Sequence, residues 1–298
     1  MRPVLTCALL LWMLPPRAQM LLVEPGADEP ELLHFNPAFI VRNGVTAVNA
    51  QLWTKRDGRP MQPLDRWFRY RFSTGGQLDR ATHMLGNATT GLDTASVLYS
   101  YGTDGRLLQE LHNDVHGYYA LQMEYGPDAH LVRETHVRLG GLTAALDGPG
   151  ADTPTVISDE RYTYTALNDT SWRKTFLNDR GRPYQEETYA KDRLGYLRRI
   201  ETLNLITQRR GLATFAYDGN GRLASQTVQT NLAVPETTTW QWTYDAAGDP
   251  LTRDLLRNGT LARHSEFLYA EGTLFLKAVI TKNNETGLIE ILRMEVER

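Results

Sequence analysis

The sequence predicts an all-β fold of repeated antiparallel β-hairpins, joined into one large sheet that curls or folds into layers. Three observations predict it. Aromatic residues recur two apart, as at Phe215 and Tyr217, which puts both rings on one face of a strand. Clusters of Asp, Asn and Gly follow them, as in Asp218-Gly219-Asn220-Gly221, and such residues close tight turns. Apolar and polar residues alternate with period two through 39–53, 66–72 and 237–244, whereas helical periodicity is nearly absent.

The hairpin signal repeats. Residues 99–107 match 215–223 almost position for position, 242–251 add one residue, and 70–78 keep the aromatic pair, the glycine and the leucine. Weaker copies occupy 53–61, 123–131, 174–184, 189–197 and 267–274. The turn glycines Gly76, Gly105, Gly195, Gly221, Gly248 and Gly272 include gaps of 29, 26, 27 and 24 residues. Such gaps suit two strands of about 8 to 10 residues and two turns. The chain therefore holds roughly sixteen to twenty strands, more than an open twisted sheet carries without curling or splitting. Arg106, Arg182 and Arg222 follow turn glycines and are expected to pair with turn carboxylates such as Asp104 and Asp218.

The aromatic-x-Tyr-Asp-x-x-Gly-Arg-Leu pattern of 215–223, with 99–107 and 242–251, resembles the YD repeats of RHS-type proteins. The resemblance covers most of residues 50–275. It implies an extended antiparallel sheet that winds upon itself, often as a shell around a toxin. Such shells usually need many hundreds of residues, and no recognisable toxin domain follows the repeats in these 298.

In chain order, residues 1–18 read as a secretory signal peptide: Arg2, an apolar core over 4–14, then Pro15-Pro16-Arg17-Ala18. That core is shorter than the roughly 20 residues a membrane-spanning helix needs. Residues 19–44 form a leader or cap without a clear period, and 45–298 form the hairpin domain, with a flexible Gly-rich loop near 139–156. Residues 275–296 read as a final apolar hairpin. Cys7 is the sole cysteine, so a chain starting near Gln19 has no disulfide. Loss of Arg2 and Arg17 takes the formal charge from −3 to −5, which argues against nucleic acid or an anionic membrane as partner. No later stretch has the length of a transmembrane helix.

The chemistry-bearing residues point to no catalytic site, cofactor or metal. His112 and His116 have H-x-x-x-H spacing on what reads as a hairpin tip without a third ligand. His130 and His136 stand about 20 Å apart along one strand. Asp159-Glu160 and Glu186-Glu187 are adjacent, so each pair points to opposite faces and cannot flank one glycosidic bond. What remains is surface. Trp53, Trp67, Trp172, Trp240 and Trp242 are the candidate platform for sugar rings or peptides. The expected function is an exported, non-enzymatic binding or scaffold protein of the cell envelope, with a glycan or protein partner. The alternatives are a carbohydrate-active enzyme and a trimmed RHS-like shell component acting with a separate toxin.

Overall fold

The computed structural model describes residues 19–26, 32–56, 58–87, 91–114, 117–140 and 154–298. The proposed signal peptide and most of the Gly-rich loop lie outside these residues. In order, the elements are β1 (Leu21–Leu22), β2 (His34–Phe35), α1 (Pro37–Arg42), β3 (Ala47–Lys55), β4 (Gln62–Phe72), β5 (Leu78–Asn87), β6 (Gly91–Tyr101), β7 (Leu107–Asp114), β8 (Gly117–Tyr125), β9 (Leu131–Leu139) and β10 (Thr155–Asn168). They continue as β11 (Ser171–Leu177), β12 (Pro183–Lys191), β13 (Leu197–Asn204), β14 (Arg210–Tyr217), β15 (Leu223–Gln229), β16 (Thr238–Tyr244), β17 (Pro250–Arg257), β18 (Thr260–Tyr269), β19 (Leu276–Asn283) and β20 (Ile289–Glu297).

The repeated signal is a repeated turn. Seven five-residue turns, starting at Ser73, Gly102, Gly126, Asn178, Asp192, Asp218 and Asp245, share one pattern. The first N–H donates to the fifth carbonyl, and the fourth N–H donates back to the first carbonyl. The fourth residue is left-handed, with φ between +68° and +95°; it is Ala129 in one turn and glycine in the other six. Beside each turn the strand register slips by one residue. This is the type I turn with a glycine bulge, which bends the strand and increases its twist.

The sheet is neither an open curl nor a stack of layers. Eighteen strands, β3 to β20, close into one antiparallel barrel, each paired with its sequence neighbours and β20 with β3. Nine residue pairs, from Ala47 opposite Glu297 to Lys55 opposite Ile289, make the seam. This corrects the predicted curled or layered sheet. Closure covers the aromatic face, as layering would, and it also satisfies both edges, which an open sheet leaves unpaired.

The concave face is identified by the segment ahead of the barrel. Phe35 packs its ring 5.1 Å from those of Tyr70 and Phe72 on β4. Its bridge partner Leu21 lines a cavity with Trp242 of β16 and Pro250 of β17. Strands β16 and β4 are six steps apart across the seam, about 29 Å along the sheet at roughly 4.8 Å a step. A two-stranded hairpin touches both only from inside the curve. The β1–β2 pair therefore lies in the lumen. Met20, Leu21, Phe39 and Ile40 are buried there against Val48, Ala50, Phe72, Phe267, Leu276 and Met294. Asn36 caps α1 by accepting a hydrogen bond from the Ala38 N–H, and Pro37 opens the helix.

Candidate functional site: an aromatic cavity inside the barrel

Because strand side chains alternate, the luminal face fixes the outer one. Val48 and Ala50 face inward, so Asn49, Gln51 and Trp53 face out, with Trp67 and Arg69 opposite them on β4. The same alternation turns ion pairs outward around the wall: Arg69–Glu297 at 2.9 Å, Arg133–Asp159 at 2.7 Å, Arg173–Glu186 at 3.6 Å and Arg199–Glu201 at 3.0 Å. Threonine pairs add hydroxyl contacts, Thr227–Thr239 at 3.0 Å and Thr243–Thr252 at 2.7 Å. An outward apolar cluster, Leu111, Ala120 and Val137 with Leu98 and Leu139, spans β6 to β9. A second outward apolar group, Leu268, Ala278, Ile280 and Ile291, lies on β18 to β20 beside Trp53. A barrel wall in lipid carries an apolar band, and each Arg or Lys at its midplane costs about 2–4 kcal/mol. This outer wall carries the ion pairs named above between its apolar groups.

The adjacent acid pairs split as their spacing requires. Asp159 faces out to Arg133, whereas Glu160 faces in and accepts hydrogen bonds from Tyr184 at 2.6 Å and Tyr162 at 3.2 Å. Glu186 faces Arg173, and Glu187 accepts from Tyr189 at 2.6 Å. Burial first, then the Glu134 and Glu160 charges, push the Tyr162 phenol well above its ordinary range. Arg222 pairs with Asp218 at 2.7 Å and Arg106 with Asp104, as the sequence predicts. At the turn before Arg182 an amide, Asn178, stands in that position and accepts from the Arg182 backbone.

The five candidate tryptophans do not form one surface. Trp53 and Trp67 lie outside at the seam, in a shallow site of about 460 Å³ with Asn49, Gln51, Arg293 and Glu295. Arg293 covers the Trp53 ring at 4.4 Å. Trp172, Trp240 and Trp242 face the lumen. Trp242 is buried with Phe215 and Leu223 beneath Val23, and Trp240 packs at the edge of that cluster. Trp172 borders open space.

That space is a cavity of about 590 Å³ between the leader and the wall from β11 to β16. Trp172 and Tyr189 stack in it at 5.0 Å with 8° between planes, and Lys191 lies 5.1 Å from the Trp172 ring centre. Tyr196 and Tyr217 meet at 4.7 Å, and Arg222 covers Tyr244 at 4.6 Å. Leu22, Val23 and Pro25 of the leader close one side. Sequence reasoning missed the tyrosines, whose hydroxyls do not point to solvent. They reach backbone instead: Tyr217 donates to the Leu197 carbonyl at 2.8 Å and Tyr244 to the Leu223 carbonyl at 2.6 Å. Tyr101, Tyr164 and Tyr269 make the same bond to Leu78, Leu131 and Pro250. With the hydroxyls of Tyr189, Tyr217 and Tyr244 committed, the cavity offers aromatic rings, with Lys191 and Arg222 over two of them.

Among the described residues no group of three His, Cys, Asp or Glu side chains is placed to hold a metal ion. His112 bonds Glu110 at 3.0 Å and stacks on Tyr119 at 4.5 Å. His116 lies outside the described residues. His130 sits in a turn beside Asp128, at 2.9 Å. No described helix is long and apolar enough to cross a membrane.

Fold and site together define a closed up-and-down β-barrel with a polar outer wall and an aromatic lumen. No protein-family model matches the chain, and a search of characterised proteins found no match. Among solved structures it is similar to a porin-like protein from Bacteroides uniformis, at 13% identity and TM-score 0.41, over 85% of this chain and 96% of that one. A porin-like protein from Bacteroides vulgatus aligns at 10% identity and TM-score 0.34, over 85% and 98%. A Tc holotoxin pore structure from Photorhabdus luminescens aligns at 13% and 0.32, over 78% of this chain but 15% of that one. All three TM-scores are below 0.5, so these likenesses say nothing about activity or location. The family implied by the YD-like motif is not shown by them.

Proposed function

We infer that the protein is an exported, non-enzymatic binding protein that takes an oligosaccharide-sized ligand into the aromatic cavity of its barrel. One observation carries this reading: the cavity of about 590 Å³ is walled by Trp172, Tyr189, Tyr196, Tyr217 and Tyr244. Its size falls within the roughly 300–1,000 Å³ of small-molecule sites. Aromatic rings suit the apolar faces of sugar rings, and Lys191 over the Trp172 ring supplies a polar handle. The ligand enters from the rim that carries the turns at 192–196 and 218–222, where the cavity opens.

A glycan array followed by titration of intrinsic fluorescence tests the reading. Trp172→Ala should weaken binding about tenfold or more, about 1.4 kcal/mol. Trp53→Ala and Trp67→Ala should leave it unchanged. Binding lost with the outer pair but not with Trp172 would move the site to the seam. Release of new reducing ends from a bound glycan would make the protein a carbohydrate-active enzyme instead.

A further inference from the structure

Asp249 closes the turn at 245–249 and is fully buried, yet its carboxylate is only partly satisfied. Oδ1 accepts the Met20 N–H at 3.2 Å, while Oδ2 is buried without a hydrogen-bond partner. Such an atom costs about 1–3 kcal/mol, and more when charged. The neighbouring carboxylate makes it worse: Asp245 accepts the Asp249 N–H at 2.8 Å and brings a second negative charge. Tyr269, the other titratable group at this point, spends its hydroxyl on the Pro250 carbonyl. Arg222, which reaches the same turn, is committed to Asp218 and the Asp245 carbonyl. No cation among the described residues completes the site.

The chain facing Asp249 is held in place. Met20 is fully buried, and its sulfur accepts the Leu276 N–H at 3.1 Å. The Asn36 N–H donates to the Met20 carbonyl at 2.9 Å, and the Asn36 side chain donates to the Gln19 carbonyl at 2.9 Å. The Gln19 nitrogen is the next backbone nitrogen upstream, within about 3.8 Å of that of Met20. We propose that Asp249 is the receptor for a new amino terminus: removal of residues 1–18 leaves an α-ammonium on Gln19, which pairs with the orphaned Oδ2 and locks the leader in the lumen. The step is hydrolysis of the Ala18–Gln19 peptide bond by a signal peptidase, with water supplying one oxygen to the carboxylate of the released signal peptide and its two protons to the new ammonium. It rests on reading 1–18 as a signal peptide, and it is independent of what the cavity binds.

The test compares the chain released from its exported precursor with the same chain carrying a short Gly-Ser extension ahead of Gln19, each with Asp249 and with Asp249→Asn. Intact mass first establishes the start. A chain beginning at Gln19 with a free amine is expected; a different start, or Gln19 cyclised so that no ammonium exists, overturns the proposal. The extension should lower the melting temperature by several degrees with Asp249 and by much less with Asp249→Asn. An equal effect in both, or none, overturns it. If Asp249→Asn fails to fold, the pH profile of the two Asp249 chains decides. In the extended chain burial pushes the carboxyl from its ordinary 3.8 up to about 6, so that chain should lose stability as pH rises through this interval. The released chain should show no such loss, because its ammonium favours the ionised carboxylate. The same loss in both chains refutes the pairing, while retention of Met1 refutes the signal-peptide reading separately.

Discussion

The Tyr217 hydroxyl donates to the Leu197 carbonyl at 2.8 Å, tying the last residue of β14 to the first residue of β13. The bond spans 20 residues of sequence and one step of the sheet. Four other tyrosines make it at other strands, so it is a unit of construction, and it can be broken in one place.

Tyr217→Phe removes the bond alone and should cost about 1 kcal/mol. Tyr217→Ala also removes a half-buried ring that meets Tyr196, and should cost about 2–3 kcal/mol. Urea denaturation measures both. Hydrogen exchange should show lost protection in β13 to β15 before global unfolding, since each hairpin leans mainly on its neighbours. Equal stability of Tyr217→Ala and the parent would show that the ring serves the cavity and not the fold.

Gly221 and Gly259 separate backbone strain from crowding. Both are left-handed, at φ +79° and +77°. A Cβ at Gly259 meets nothing within 4 Å, whereas one at Gly221 falls on the Tyr196 hydroxyl. Gly259→Ala should cost about 1–2 kcal/mol from the backbone alone. Gly221→Ala should cost more and quench the Tyr196–Tyr217 contact. Equal costs would mean that Tyr196 moves aside freely.

Turn carboxylates set the acid limit. Burial works to raise Asp218, but the Arg222 backbone and side chain and the Asn220 N–H outweigh it and hold the carboxyl below its ordinary 3.8. Asp192 is held down in the same way, against burial, by Arg198, Tyr196 and Leu194. A depressed carboxylate stabilises the fold above the unfolded value and loses that contribution as pH falls through the folded one. Melting temperature should therefore drop below about pH 4, with hydrogen exchange rising first at 192–196 and 218–222. Asp218→Asn should flatten part of that acid limb; an unchanged limb would assign it elsewhere.

The outer wall should stay out of lipid. Sedimentation with neutral or anionic vesicles should leave the protein in the supernatant, because Arg173 and Glu186 pair on the outward face within β11 and β12, and Arg69 and Glu297 pair outward at the end of β20. Stable insertion would overturn the assignment of inner and outer faces.

The sequence by itself determined the hairpins. Aromatic pairs, turn glycines and period-two alternation act over ten residues or fewer, so the turns at 73–77, 102–106 and 218–222, the near absence of helix and the split of Asp159 from Glu160 were legible. It also marked the tryptophans as candidates but not their side of the wall. Only tertiary structure decided that. Whether Trp172 faces a cavity or solvent depends on which way the sheet curves, and closure depends on Ala47 meeting Glu297 across 250 residues. No local pattern encodes such a pairing, since β3 and β20 would read the same at the two edges of an open sheet. The leader was equally silent: 19–44 has no period, because its order comes from Met20, Phe39 and Ile40 filling a lumen that other strands create.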